Sequence, residues 1–286
     1  MRTGKRFQLR LARALLALLA ILMLLPMVQT FLYSFSSIPE MKAFMKTRGS
    51  RDEAAWMEAH LSPHILSLGQ YEQILIKDHT VLGYFINSVG YAAAILFGQA
   101  LIIPALAFGL SKFRFRGREV IFFLILILML LPFQVTMVPN VLTLRFLGML
   151  NTPWAVVLPM WFAPFYIFLL RQYMIALPDE LLEAASMDGA GPFRSFLRIV
   201  LPVCRPVLGA AAALSFAENW NLVEQPLTYL SSRPELMPLS TVFNQLAGEN
   251  TGFEFAGAAL YILPALLVYL FFQEDILSGI QLTEMK

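Results

Sequence analysis

The chain has 286 residues, of which 58% are hydrophobic and 14% charged, and it carries a formal net charge of +2. A soluble domain holds roughly 45–50% apolar and about 25% charged residues, so this balance excludes a water-soluble globule and places the chain in a membrane. The charge is too small, and the basic residues too scattered between apolar runs, to argue for a nucleic-acid partner.

The opening MRTGKRFQLRLAR followed by ALLALLAILMLLPMVQTFLY imitates a signal peptide. Its uncharged stretch from Ala14 to Pro39 exceeds an h-region of about 7–15 residues and has no A-x-A cleavage site, so it is expected to stay as a first membrane helix. A bilayer core needs about 20 apolar helical residues, and the gaps between charges give six such stretches. They centre on Ala14 to Tyr33, Phe85 to Leu110, Val120 to Val138, Trp154 to Leu170, Pro206 to Val223 and Phe255 to Phe272. The fifth loses its uncharged character at Glu218 and is too short to span alone. Continuous apolar runs, rather than alternating ten-residue segments, exclude a membrane barrel. The expected fold is therefore all-α and polytopic. Its divisions are an N-terminal helix with an extracytoplasmic segment over 1–80, a membrane core over 81–273 and a cytoplasmic tail over 274–286.

With the N-terminus inside, the cytoplasmic segments hold fourteen of the twenty-one Lys and Arg residues. The positive-inside rule then puts both termini, and the polar passage after Pro178, in the cytoplasm. The outer segment from Ser36 to Thr80 is expected to form short surface helices and holds all three histidines. His60 and His64 have the i, i+4 spacing of a metal pair, but Pro63 interrupts them and no Cys or further His converges, so no metal site is expected. The single cysteine, Cys204, excludes an internal disulfide and reads as a small apolar spacer.

The passage from Pro178 to Pro202 interrupts the apolar runs. Pro178, Asp179 and Glu180 open a short helix, with proline in the first turn and acids at the positive end of the dipole. Leu181, Leu182 and Ala185 share a face, and Gly189 ends the helix because glycine takes the left-handed conformation. Pro192 restarts a helix whose Phe193, Phe196, Leu197 and Val200 form an apolar stripe, with Arg194 and Arg198 on another side. Periodicity alone leaves two readings open: interfacial helices on the lipid headgroups, or a docking element for a cytosolic partner.

The run EAASMDGAGPFRSFLRIVLPVCRP resembles the EAA loop of permease subunits of binding-protein-dependent ABC importers. The matching residues are Glu183, Ala184, Ala185, Asp188, Gly189, Ala190, Phe196, Leu201, Pro202 and Pro206. The carbohydrate branch, and within it the maltose-permease-like second subunit, is further resembled by a series in family order between Tyr71 and Phe272. That series comprises Asn87-Ser88, KFRFRGRE from Lys112, LPFQVTMVP from Leu131, LGMLNT from Leu147, LLRQYMIALPDEL from Leu169, and NWN from Asn219 to Asn221. The resemblance implies a type I importer transmembrane fold, with a coupling helix between the fourth and fifth spans that seats in an ATPase subunit. It also implies a second permease subunit, two ATP-binding subunits that hold ATP and magnesium, an extracytoplasmic solute-binding protein and surrounding membrane lipid. No cofactor is expected on this chain. The tail FFQEDILSGIQLTEMK departs from the family's glycine-rich, lysine-bearing ending, retaining Gly279 but adding Glu274, Asp275 and Glu284.

No G-x-x-x-x-G-K-[ST] run occurs, so ATP hydrolysis must belong to another polypeptide. A membrane enzyme would need a buried nucleophile with its base, yet no span contains His and no Ser sits in G-x-S-x-G. A scaffold without a solute path is disfavoured by polar residues within the spans, although each could bridge helices. Glu218, Asn219 and Trp220 are the candidate path residues. A carboxylate inside a bilayer costs about 2.5–3.5 kcal/mol or more, so Glu218 should face protein or water. Pairing with a partner subunit and placement near the interface are alternatives to bordering the path. The solute class implied by the resemblance is a sugar or sugar-like molecule, with a non-sugar solute as the alternative.

Overall fold

The computed structural model describes residues 2–48, 63–77, 79–242 and 253–284. Among the described residues the structure is helical, and extended backbone is limited to one antiparallel bridge between Ser36 and Leu66. In chain order the helices are α1 (Arg2–Tyr33), α2 (Ile38–Arg48), α3 (Gly69–Glu72, continued as a π turn over Gln73–Lys77) and α4 (His79–Lys112). Then follow α5 (Arg118–Leu130), α6 (Phe133–Phe146), α7 (Pro153–Trp161), α8 (Pro164–Ile175) and α9 (Glu180–Met187). The chain closes with α10 (Pro192–Val203), α11 (Arg205–Trp220), α12 (Glu224–Tyr229) and α13 (Glu254–Glu284).

Among the described residues, four helical stretches are long and apolar enough to cross a membrane: Arg10–Tyr33, His79–Lys112, Pro153–Ile175 and Glu254–Ile276. Two bent pairs raise the number to six if each pair is one span. Both bends modify the expectation from sequence. The stretch expected over Val120 to Val138 turns through 108° between α5 and α6. Leu131 is extended (ψ 124°) because the following Pro132 crowds it out of the helical region, and Pro132 brings no N–H to continue the ladder. The stretch expected over Pro206 to Val223 is α11, whose 16 residues make about 24 Å of helix, less than the hydrocarbon core. It meets α10 at a 75° bend on Cys204, between Pro202 and Pro206. The second amphipathic piece of the polar passage is thus continuous, through one corner, with the fifth apolar stretch.

The chain divides into two compact units, 1–83 with 243–263 and 84–242 with 264–286. In the first, Gln70 is fully buried and its amide joins three segments. Its Nε2 donates to the carbonyls of Tyr33 (2.8 Å) and Ser36 (2.9 Å), and its Oε1 accepts from the Ala256 amide (3.2 Å). In the second, α8 presents Tyr166, Ile167, Leu170, Arg171 and Met174 inward at helical spacing. They pack on Ile103 and Phe108 of α4 and on Val207 and Ala211 of α11. Between membrane helices the driving force is close packing and hydrogen bonding rather than removal from water, which favours small side chains at contacts. The run GAAAALS in α11 supplies them, with Gly209, Ala210, Ala211 and Ala213 buried. Gly98 of α4 plays the same part. A Cβ there would collide with the Trp161 indole, whose Nε1 donates to the Ala94 carbonyl at 3.0 Å.

Candidate functional site

The passage after α8 forms a helix, a tight turn and a second helix. The turn follows from its residue types. The Ala190 amide donates to the Ala185 carbonyl (2.9 Å) and the Gly189 amide to that of Ser186 (3.0 Å), the paired closure that satisfies the last carbonyls of a helix. That closure needs a left-handed residue between them, and Gly189 supplies it at φ +77°. Asp188 is the residue that closes α9, and among the described residues it makes no ion pair with Arg194. Pro192 then occupies the first turn of α10, where its missing N–H costs nothing.

The two apolar stripes expected from spacing are split between inside and outside. Ala185 and Val200 are buried, Leu182 packs on the core, and the Phe196 ring lies 5.0 Å from that of Phe108. Phe193 and Met187 point away, 74% and 88% exposed, with Leu181 and Leu197 also exposed. Phe196–Val200 forms a π segment; Phe196 and Val200 face the core, while Phe193 and Leu197 face away. Glu183, Ala184, Asp188 and Gly189 lie on the exposed surface, Ala185 is the buried anchor, and Ala190 is half-buried.

The root of this loop is held by two cations that the sequence marks only as members of the runs KFRFRGRE and LLRQYMIALPDEL. Lys112, the last residue of α4, donates from Nζ to the Leu177 carbonyl (2.7 Å) and to Asp179 Oδ1 (2.6 Å). Arg171 of α8 reaches back, donating from Nε to the Leu110 carbonyl (3.1 Å) and from a terminal nitrogen to Glu119 (3.3 Å). Its guanidinium lies 3.6 Å from the Phe122 ring centroid. Arg171 therefore caps the C-terminal end of α4, where carbonyls lack intrahelical donors and the dipole is negative, and Lys112 holds the segment that follows α8. The Lys112 hydrogen bond and charge hold the Asp179 carboxyl below its ordinary value.

The second candidate group lies at the C-terminal end of α11. The Tyr166 hydroxyl donates to Glu218 Oε2 at 2.8 Å, and Glu218 is otherwise exposed. The Asn219 amide donates to the Ser215 carbonyl (2.7 Å) and hydroxyl (2.9 Å); Ser215 donates to Gln99 Oε1; and Gln99 donates to the Met160 carbonyl (2.7 Å). Three polar side chains thus pair with one another and with a backbone carbonyl across three helices, as a low-dielectric interior requires. Trp220 is 2% exposed, stacked on Phe216 (5.4 Å) and edge-on to Phe85 (5.9 Å). Gln99, Ser215 and Tyr166 border an open cleft of about 820 Å³ whose remaining wall is mostly apolar, with Arg205 and Asp275 also lining it. Among the described residues no group of three His, Cys, Asp or Glu is placed to hold a metal ion; His60 lies outside those residues.

Residues 100–274 match the family described as binding-protein-dependent transport system inner membrane component. The chain belongs to this family. It is 31% identical over 227 residues to the arabinooligosaccharides transport system permease protein AraQ of Halalkalibacterium halodurans, a match covering 78% of this chain and 81% of the relative. It is 35% identical over 201 residues to the lactose transport system permease protein LacG of Rhizobium radiobacter, covering 68% and 72%. In three dimensions it is similar to a solved bacterial ABC transporter involved in the import of the acidic polysaccharide alginate. That match has a TM-score of 0.79 and 24% identity, and covers 96% of this chain and 98% of the other. The family and the likeness in fold make this chain a multi-pass permease subunit of the plasma membrane with a type I importer fold. It is a transport component, not an enzyme.

Proposed function

We propose that this chain is one of two permease subunits of an ATP-driven importer for a sugar or sugar-like solute, in the position of the maltose-permease-like second subunit. It would work with a second permease, two ATP-binding subunits carrying ATP and magnesium, and an extracytoplasmic binding protein. The names of the relatives, permease proteins of an arabinooligosaccharides and a lactose transport system, support the solute class. In this reading both termini and the loop over 178–203 face the cytoplasm.

The observation that carries the proposal is the loop's surface. Met187 and Phe193, nearly fully exposed, flank the Gly189 turn, and Glu183 lies on the same exposed passage. Large apolar side chains beside charges on a rigid projection have the makeup of a protein contact, an apolar centre with a polar rim. Glu183, Ala184, Ala185, Asp188, Gly189 and Ala190 form the coupling element. Closure of the ATP-binding subunits pulls it, and the membrane helices switch the path from inward-open to outward-open. On the path side, Glu218 borders the solute, and Asn219 and Trp220 hold the end of α11 behind it.

Cysteine exchange tests the docking and the orientation together. Met187→Cys is expected to resist an impermeant thiol reagent in intact cells, to react once the membrane is opened, and to cross-link to an ATP-binding subunit in the purified complex. Labelling from outside intact cells, or a chain that purifies without any ATP-binding subunit, overturns the reading.

A further inference from the structure

The loop does not hang from a single connection. The chain leaves α8 at Ile175, and within four residues Lys112 of α4 holds both the Leu177 carbonyl and the Asp179 carboxylate. The Lys112 side chain is 6% exposed, turned inward against the helix ends, while its Asp179 partner stays at the surface, 69% exposed. In the reverse direction Arg171, on the last turns of α8, bonds the Leu110 carbonyl of α4 and the Glu119 carboxylate of α5. The two arms cross: α4's cation caps the segment after α8, and α8's cation caps α4. Rotation of either helix about its own axis would break one arm, and lateral separation would break both. Phe122, whose ring lies under the Arg171 guanidinium and stacks on Phe168, closes the group from the α5 side.

We propose that Lys112 and Arg171 form a transmission clasp, with Lys112 as a positioning residue that makes the loop and the ends of α4, α5 and α8 move as one body. This rests on the reading that the loop docks on the ATP-binding subunits and deepens it. A loop joined only through the four residues after Ile175 would swing on that joint, and force applied at Gly189 would be spent there. With the clasp closed, the same force reaches three helices. The buried position of Lys112 is otherwise hard to account for, because a Lys at a helix end in a membrane protein normally extends its amine to the headgroups and water.

Distance measurements on the whole purified complex test it, with ATP plus vanadate as the only added ligand. Spin labels at Leu181→Cys on the loop and Ile121→Cys on α5 report across the clasp; both positions are exposed. With Lys112 intact, the distance should be narrow and the same in the resting and the vanadate-trapped complex. Lys112→Met should broaden it and make it change on trapping by about 2 Å or more, the scale of helix shifts that carry switching. Asp179→Asn, at an exposed side chain whose loss does not threaten folding, should broaden it less, and Lys112→Arg should restore part of the narrow distribution. A residue that only stabilises the fold would lower the yield of complex and leave the distance in the assembled fraction unmoved. The Met187→Cys cross-link is measured alongside. Cross-linking with an invariant distance in both Lys112→Met and Asp179→Asn overturns the clasp alone. Loss of the cross-link in the otherwise unaltered complex, with invariant distances throughout, overturns the docking reading and the clasp together. A distance that already changes on trapping with Lys112 intact also overturns the clasp.

Discussion

Two regions of the second unit treat polar and apolar side chains in opposite ways. On the loop, Met187 and Phe193 point outward while the cations that matter to its placement, Lys112 and Arg171, are drawn in to helix ends. At the end of α11 the aromatic side chains Phe216 and Trp220 are buried, and the polar residues form an internal relay from Asn219 to Met160, leaving the Glu218 carboxylate exposed. Exposure of an apolar group therefore means different things along one chain. On α1, where Leu11 through Phe31 are exposed along the helix, lipid is the natural neighbour. On a short charged loop beyond the membrane helices, only another protein or the headgroup region can cover it.

The comparison breaks most visibly if the Gly189 turn is altered. Gly189→Pro cannot adopt φ +77°, since the ring locks φ near about −65°, and the variant should insert and assemble yet lose uptake completely. Glu183→Lys should do the same through charge. Normal solute uptake by both variants removes the coupling role. The opposite behaviour is expected of Trp220→Ala, where emptying a buried indole site costs about 3–5 kcal/mol. Its thermal unfolding in detergent should move to lower temperature and the assembled protein should fall, with apparent solute affinity unchanged in what remains. A changed affinity would return the indole to the solute path.

Gly98→Ala is smaller in atoms but meets the Trp161 ring, so about 1–3 kcal/mol of overpacking should appear as a lower melting temperature of the purified complex. An unchanged melting temperature would show that Trp161 has room to move. The smallest effect is expected from Ser215→Ala, which cuts the relay between Asn219 and Gln99; hydrogen bonds between membrane helices average about 0.6 kcal/mol. Glu218→Gln keeps the Tyr166 partner and removes the charge. It sharpens the contrast between relay and path because it should alter apparent affinity, read from uptake against external solute concentration, with little change in stability.

Much of the loop is legible in the sequence. The motif residues around Gly189 encode a helix closure whose geometry depends on neighbours within six positions, so local sequence carries it. The clasp is not legible. Lys112 and Leu177 stand 65 residues apart, and Lys112 sits in a run of basic residues, KFRFRGRE, whose other members are exposed or half-buried. Nothing in that run marks which cation turns inward. The alternation of Phe and Arg, with Gly117 left-handed after it, could have suggested a helix ending at Lys112, but not its partner.

Composition and the spacing of charges determined by themselves that this chain lives in a membrane, where its apolar stretches lie and which passage must stay polar, because transfer free energies add up residue by residue along the chain. Tertiary structure alone decided that Trp220 is buried, that the loop's apolar stripe divides between core and surface, that α10 and α11 meet at a corner on Cys204, and that Lys112 and Arg171 reach across between α4 and the end of α8. Each of these depends on which helix faces stand against each other. That choice is made by side-chain volume and by the pairing of polar groups between distant segments, and neither quantity is carried by any short stretch of sequence.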